Sequence, residues 1–483
     1  METPKATISN FLWQFLERCG AQGVTFLVSI VLARLLDPEV YGTIALVTVF
    51  TSIMQVFVDS GLGTALVQKK DADNIDFSTV FFFNLAVCAV LYGLMFLLSP
   101  WIAAFYRQPE LTPVIRVLSL ILIISGVKNI QQAYVSKHML FKKFFFATLG
   151  GTIAAAVAGI WMAYRGYGVW ALVVQNLLNQ TVDTVILWRT VRWRPQRVFS
   201  RQRLRALLRY GWKLLASSLL DTIYRDLRTL IIGKKYSSDD LAFYNRGNQF
   251  PNLIVNNINS AIDGVLLPIM AAEQDDRDRV RTMTRRAIKT STYIMMPLMV
   301  GLAVCSEPLV RLLLTEKWLS CVPYLRIFCF VYAFYPIHTA NLNAIKALGR
   351  SDYFLKLEII KKLLALAAIG ISMWFGVIWM AYSSLLTSIL SQLINSYPNK
   401  TLLNYSYLDQ LRDILPQIVL SCVMGAAVYC VTLLHLPALW TLLIQVPLGA
   451  GLYLAGSRLF RLESYSYLLD MLRSFLHRQK ETE

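Results

Sequence analysis

Four ionisable side chains stand close together in a stretch that is otherwise apolar: Asp221, Arg225, Asp226 and Arg228. Helix positions i, i+4 and i+7 share a face, so Asp221, Arg225 and Arg228 line up as a stripe able to pair along its own length. Arg18, Lys128, Asp183, Arg246 and Asp263 are likewise surrounded by apolar residues, as are Asp59, Arg311 and Arg326. A charge in hydrocarbon costs several kcal/mol, so such groups face a partner or a water-filled cavity. Arginine and lysine there suit an anionic ligand, and guanidinium grips phosphate oxygens through paired hydrogen bonds. Arg18, Lys128, Asp221, Arg225, Arg228 and Arg246 are therefore the candidate substrate-binding residues. Asp183, Asp226 and Asp263 are candidates for carrying a coupling proton or sodium ion, and Asp221 shares that chemistry. The competing expectation is that these charges pair with one another and only hold helix geometry. Arg246, Arg311 and Arg326 are expected near the outer interface.

Other chemistry finds little footing. Seven cysteines lie in or beside apolar stretches without a CxxC pair, and four histidines (His138, His338, His435, His477) are scattered. That distribution suits helix packing better than a disulfide frame or a zinc site. No catalytic residues, cofactor or metal are expected. No GxxxxGK[ST] loop is present to draw on a nucleotide, so energy must come from an ion gradient or from removal of the product outside.

The elements that must position the charges are membrane spans. About fourteen apolar stretches occur, at 11–35, 41–66, 78–105, 112–134, 144–164, 168–188, 210–233, 248–272, 291–314, 321–345, 355–375, 377–397, 411–433 and 437–457. Each approaches the ~20 residues that cross a bilayer as a helix. Cations concentrate on alternate connectors: Lys69 and Lys70; Lys137, Lys142 and Lys143; Arg189 to Arg209; Arg277 to Arg286; Lys346 with Arg350; Lys400 with Arg412; and the tail beyond Arg458. The remaining connectors are short and carry few cations. By the positive-inside rule the basic connectors and both termini are cytoplasmic. The first stretch is longer than a signal core, carries Arg18 and lacks a small-residue cleavage pattern, so it is read as a span. The net charge of +18 falls at membrane-flanking positions, where it sets topology and meets anionic lipid headgroups. No connector is long enough to build a basic folded core, which argues against nucleic acid as a partner. Aromatic residues at span ends, such as Trp101, Trp170 and Trp379, read as an interfacial belt.

Short patterns recur about two hundred residues apart. Asp37-Pro-Glu-Val-Tyr41, followed by Asp59 and Gly61, is echoed by Asp240-Leu-Ala-Phe-Tyr244, followed by Asp263 and Gly264. Asn129 with Gly168 and Trp170 is echoed by Asn341 with Gly376 and Trp379. Asp37 before Pro38 alone is also what any helix start looks like. Taken in order, the echoes imply that helices one to six recur as seven to twelve in the same orientation, with a cleft along the pseudo-axis. The expected organisation is an all-α membrane protein: an N-lobe at 1–190, a basic cytoplasmic linker helix at 191–209, a C-lobe at 210–397, two further helices at 398–457, and an amphipathic cytoplasmic tail at 458–483. Residues 273–290 read as a second cytoplasmic helix.

The whole chain resembles the Wzx-type polysaccharide flippases of the multidrug/oligosaccharidyl-lipid/polysaccharide exporter superfamily, and within it the colanic acid and teichuronic acid exporters. The resemblance rests on the ordered set Ile8-Ser-Asn-Phe-Leu-Trp13, Leu32-Ala-Arg-Leu-Leu-Asp-Pro-Glu-Val-Tyr-Gly42, Asp59-Ser-Gly-Leu-Gly63, Tyr244-Asn-Arg246 and Glu316-Lys-Trp318. It implies a multi-pass bacterial inner-membrane protein that exports a polyprenyl-diphosphate-linked oligosaccharide from the inner to the outer leaflet through a cationic cleft. Arg18 matches the family's use of first-helix arginine. A polysaccharide polymerase and glycosyltransferases are the implied neighbours. A drug antiporter of the same superfamily is the nearest alternative, disfavoured because the buried charges lean basic. A membrane polymerase or ligase is disfavoured because the outward connectors are too short to carry a catalytic loop.

Overall fold

The computed structural model describes residues 20, 22–59, 62–69 and 71–480. Arg18 lies outside them. The described residues are almost wholly helical, with no strand among them. The first part contains α1 (Gln22–Leu35), α2 (Pro38–Asp59), α3 (Leu62–Gln68), α4 (Asn74–Tyr106), α5 (Leu111–Leu118), α6 (Leu120–Lys137), α7 (Phe141–Tyr164), α8 (Val169–Thr190) and α9 (Arg201–Lys235). There follow α10 (Ser238–Ala272), α11 (Arg277–Val304), α12 (Ser306–Leu313), a 3-10 turn (Glu316–Cys321), α13 (Val322–Ala333), α14 (Tyr335–Ala347), α15 (Ser351–Ser372), α16 (Val377–Leu402), α17 (Tyr407–Thr432), α18 (Ala438–Leu459) and α19 (Glu463–Lys480). Two compact units divide between Ala242 and Phe243.

Local chemistry sets the helix ends. Asp73 accepts hydrogen bonds from the amides of Ile75 and Asp76, while Asp76 accepts from the Asp73 amide, closing the start of α4 as a reciprocal cap. Ser406 and Asp409 do the same for α17. Gly168 (φ 54°) and Gly376 (φ 119°) close the tight turns of the α7–α8 and α15–α16 hairpins, in a backbone region that side-chain-bearing residues avoid.

Ten helical stretches among the described residues are long and apolar enough to cross a membrane. α8 and α15, each 22 residues, have the length but not the composition. α8 carries Gln175, Asn176, Asn179, Gln180 and Asp183, α9 carries Asp221 to Arg228, and α15 carries Lys356, Glu358, Lys361 and Lys362. α15 nonetheless exposes Leu355, Ile359, Leu363, Leu366 and Ile371, the surface a lipid-facing helix presents.

Two expected cytoplasmic helices do not stand apart. Residues 191–200 are non-helical, and α9 then runs unbroken through the expected boundary at 209/210. α11 likewise carries 277–290 straight into the span that follows. No proline interrupts the backbone ladder at either junction, so one helix continues where two were expected. α9 packs on α2, α3 and α4, and with it the first compact unit runs to Ala242.

The repeated patterns correspond to repeated contacts. In the first unit Arg116 Nε donates to Ser99 Oγ (3.0 Å) and the Phe96 carbonyl (3.4 Å); in the second, Arg326 Nε donates to Ser306 Oγ (3.0 Å) and the Ala303 carbonyl (3.4 Å). Asn129 donates to Asp59 (2.9 Å), and Asn343 donates to Asp263 (2.7 Å). The partner of Asn129 in the repeat is thus Asn343, not Asn341. Asn341 instead joins a buried amide cluster with Ser396, Asn399 and Gln410. Each unit also builds an apolar core from equivalent elements, around Phe77, Ile130 and Trp193 in one and Val280, Ile337 and Tyr405 in the other.

Candidate functional site: a polar tract along α2

Helix α2 is apolar except along one face, where Thr48, Thr51, Ser52, Gln55 and Asp59 follow helical spacing. A cavity of about 350 Å³ opens against that face, closed by Ser125, Lys128 and Gln132 of α6 and Gln180 of α8. A second, of about 490 Å³, shares Ser52, Gln55 and Asp59 and continues to Ser218, Thr222 and Arg225 of α9. Both lie within the first unit, and together they make a polar tract with α2 at its middle.

At one end Lys128 Nζ stands 2.5 Å from Asp183 Oδ2 and donates to Gln180 Oε1 at 3.0 Å. The two charged side chains are 11% and 8% exposed, so each ion depends on the other for solvation. In the middle, Asp59 accepts from Gln55 (3.0 Å) and Asn129 (2.9 Å). At the other end Ser52 Oγ donates to Asp226 (3.0 Å), joining α2 to α9. Arg225 Nε lies 3.7 Å from Asp226, and its side chain is 71% exposed. Arg228 is half-buried, and its Nε and Nη2 have no hydrogen-bond partner among the described residues.

Among the described residues of the tract, Lys128 and Arg225 stand beside Asp183 and Asp226, and Asp59 lines both cavities, so its charge is mixed rather than basic. Commitment is uneven, however. Lys128 is tightly paired, whereas Arg225 is exposed and only loosely held, and it remains able to take an anion. Asp221 is exposed on the same helix.

Arg246 and Asp263 belong to the second unit. Arg246 is buried in the second unit, donating to Gln249 Oε1 (2.6 Å) and lying 4.9 Å over the Trp318 ring. Asp263 pairs with Asn343, also in the second unit. Arg326 belongs to the repeated scaffold contact, and Arg311 pairs with Glu307 (3.4 Å). Reading charges alone missed Ser52, Gln55, Asn129 and Gln180. The available signal was uncharged polar residues at helical spacing within apolar spans.

The end of the first unit that carries basic connectors is tied by ions. Lys69 meets the fully buried Asp76 at 2.6 Å, and Arg203 at the start of α9 meets Asp73 at 2.5 Å and Asp76 at 3.4 Å. Hydrogen bonding to Arg203, then to the Asp76 amide, holds the Asp73 carboxyl down at about 2.

Polar cavities among apolar helices of membrane-crossing length define a polytopic membrane protein, and comparison with known proteins narrows the family. The profile of a family described as polysaccharide biosynthesis protein matches residues 31–323, and the chain belongs to that family. It is 26% identical over 321 residues to the succinoglycan biosynthesis transport protein ExoT of Rhizobium meliloti (strain 1021), covering 66% of this chain and 65% of ExoT. It is 24% identical over 436 residues to the lipopolysaccharide biosynthesis protein WzxC of Escherichia coli (strain K12), covering 88% of this chain and 89% of WzxC. It is 27% identical over 315 residues to the teichuronic acid biosynthesis protein TuaB of Bacillus subtilis (strain 168), covering 62% and 63%. In fold it resembles the lipid II flippase MurJ in an inward closed conformation, with a TM-score of 0.75, 16% identity, and coverage of 97% of this chain and 100% of that one. An inward-facing multidrug resistance MATE family transporter of the MOP superfamily aligns with a TM-score of 0.61, 17% identity, and coverage of 79% and 95%. The chain is a multi-pass protein of the bacterial inner membrane, a member of a polysaccharide biosynthesis family and similar to Wzx-type transporters.

Proposed function

We propose that the chain moves a polyprenyl-diphosphate-linked oligosaccharide repeat unit from the inner to the outer leaflet by alternating access. Fourteen spans with both termini in the cytoplasm fit this reading: the ten apolar stretches, together with α1, α8, α9 and α15, make that number. The observation that carries the proposal is the polar tract itself. It lies inside helices of membrane-crossing length; the loosely held guanidinium of Arg225 lines it, and Arg228, three residues on in the same helix with two unbonded nitrogens, is assigned beside it to the diphosphate. Lys128 and Asp183 give the opposite end a pair able to exchange a proton or cation, and Asp226 adds a carboxylate beside the guanidinium groups. Arg18 is assigned to the same anion-binding set by family likeness. A polymerase and glycosyltransferases are the proposed functional neighbours.

The mixed charge of the tract keeps a drug antiporter as a second reading, because Asp59, Asp183 and Asp226 would suit a cationic drug. Proteoliposomes loaded with a polyprenyl-diphosphate oligosaccharide separate the two. Outward movement by the wild type should fall at least about tenfold in Arg225→Ala and in Arg228→Ala, since a charge-assisted hydrogen bond contributes about 1.5–3 kcal/mol. Movement unchanged in both variants would remove these arginines from the site. Proton- or sodium-driven efflux of a lipophilic cation, without movement of the lipid-linked glycan, would favour the antiporter.

A further inference from the structure

The second unit has a cavity of about 650 Å³ where the lower turns of α11 and α17 diverge, at the end carrying the basic connectors. Arg281, Arg285 and Lys289 of α11 line it at helical spacing, facing Asp409, Arg412 and Asp413 of α17. Three acids line it: Asp278 stands in the first turn of α11, and the other two are already committed. Asp413 takes two hydrogen bonds from Arg285 (2.8 and 2.7 Å) and one from Tyr405 (2.8 Å). Asp409 is held by Ser406 in the cap of α17, and Lys289 is paired with Glu463 at the start of α19. Arg281 and Arg412 are different: both lie near enough to Asp409 to help hold its carboxyl down, yet among the described residues neither makes a direct hydrogen bond or ion pair. Two uncommitted guanidinium groups on a cavity wall create a local demand for an anion.

The surroundings say which anion. Arg412 continues the outward stripe of α17, where Leu415, Val419 and Val423 are 54%, 52% and 61% exposed. That stripe is apolar and faces the bilayer, with the arginine at its basic-end terminus. A ligand with acyl chains and a phosphate head would satisfy both parts at once, whereas a soluble anion would use only the head. We infer that this cavity is a binding site for the phosphodiester headgroup of an anionic phospholipid, with Arg281 and Arg412 on the phosphate and the acyl chains along Leu415, Val419 and Val423. The lipid is a resident of the second unit, separate from the glycolipid proposed for the tract along α2.

Native mass spectrometry of the full-length protein, released from nanodiscs of mixed phosphatidylglycerol and phosphatidylethanolamine, tests the site. A juxtamembrane basic residue is worth enough to change affinity about fivefold, so Arg281→Gln with Arg412→Gln should lower phosphatidylglycerol retention roughly thirtyfold. Arg189→Gln with Arg192→Gln, the same charge change at the basic end of the first unit, should leave retention unchanged. Leu415→Gln with Val419→Gln should weaken retention while keeping both arginines. If the double arginine variant does not fold, each single variant carries the test at about fivefold. Retention equal to wild type in the arginine variants, or equal loss in the Arg189 and Arg192 control, overturns the site. So does glycerol 1-phosphate displacing the lipid at equal concentration, which would mark a soluble-anion pocket instead.

Discussion

Substituting Lys128 with leucine should destabilise the first unit sharply. The lysine ammonium is 2.5 Å from Asp183, and that carboxylate is 8% exposed. With the lysine gone, Asp183 must either stay ionised without its partner or take up a proton. Breaking one side of a buried ion pair costs about 3–5 kcal/mol. Lys128 also borders a cavity of about 350 Å³ that water can enter. That solvation places the cost near the lower end, at ~3 kcal/mol. In a body of this size about 1 kcal/mol shifts the melting temperature by 2–4 °C, so Lys128→Leu should melt roughly 6–12 °C below wild type in detergent. Asp183→Ser should lose a similar amount, since it strands the ammonium instead. The double variant Lys128→Leu/Asp183→Ser removes both charges together and should recover most of the loss. A single variant melting within about 2 °C of wild type would refute the pairing. So would a double variant whose loss equals the sum of the singles.

Two further outcomes follow from the same geometry. A Cβ added at Gly42 would fall 1.9 Å from the Ser238 carbonyl oxygen, so Gly42→Ala should cost about 1–3 kcal/mol through overpacking, while Gly93→Ala, which meets open space, should be neutral or slightly stabilising by thermal melting. The Asp73 carboxyl is held at about 2 in the folded protein, below its ordinary value near 4, so its contribution to stability is fully present above about pH 4 and is lost as pH falls through 2. An acid titration of the melting temperature should therefore be shallower between those limits in Arg203→Gln, and an unchanged slope would show that the pair does not act.

The membrane architecture was legible because its signals are long and local. An apolar run of about twenty residues and cations on alternate connectors survive any detail of packing. The repeat was legible too, although the match of Asn129 with Asn341 was off by two residues. Only the contact with Asp263 distinguishes Asn343 from Asn341. Helix continuity was less legible: amphipathic spacing at 201–209 and 277–290 shows a helix, but nothing in that spacing says where it stops. For the site, isolated charges pointed to Lys128 and Arg225, which line the tract, and to Asp183 and Asp226, which bond to its lining residues. Arg246 gave the same signal, yet it stacks on Trp318 and bonds Gln249 inside its own unit. A buried charge announces that it has been accommodated, and sequence does not say whether by a cavity or by a neighbour.

Comparison of the two units separates these cases. Their scaffold contacts match nearly atom for atom, as Arg116 with Ser99 and Arg326 with Ser306 show. The contact of Asn129 with Asp59 has its counterpart in Asn343 with Asp263. The residue before Asn129 is Lys128, while the residue before Asn343 is Leu342. Asp183 lies fifteen residues beyond the turn glycine Gly168, and the same step from Gly376 reaches Ser391. The second unit thus builds the same framework with leucine and serine where the first has an ion pair. A pair that its sister framework does without is not a requirement of that framework, and retaining it carries the desolvation cost of two buried charges. The double variant Lys128→Leu/Asp183→Ser gives the first unit the residues its sister already folds with. If the pair serves transport, that variant should melt close to wild type and yet fail to move the glycolipid, a combination that a purely structural ion pair cannot produce.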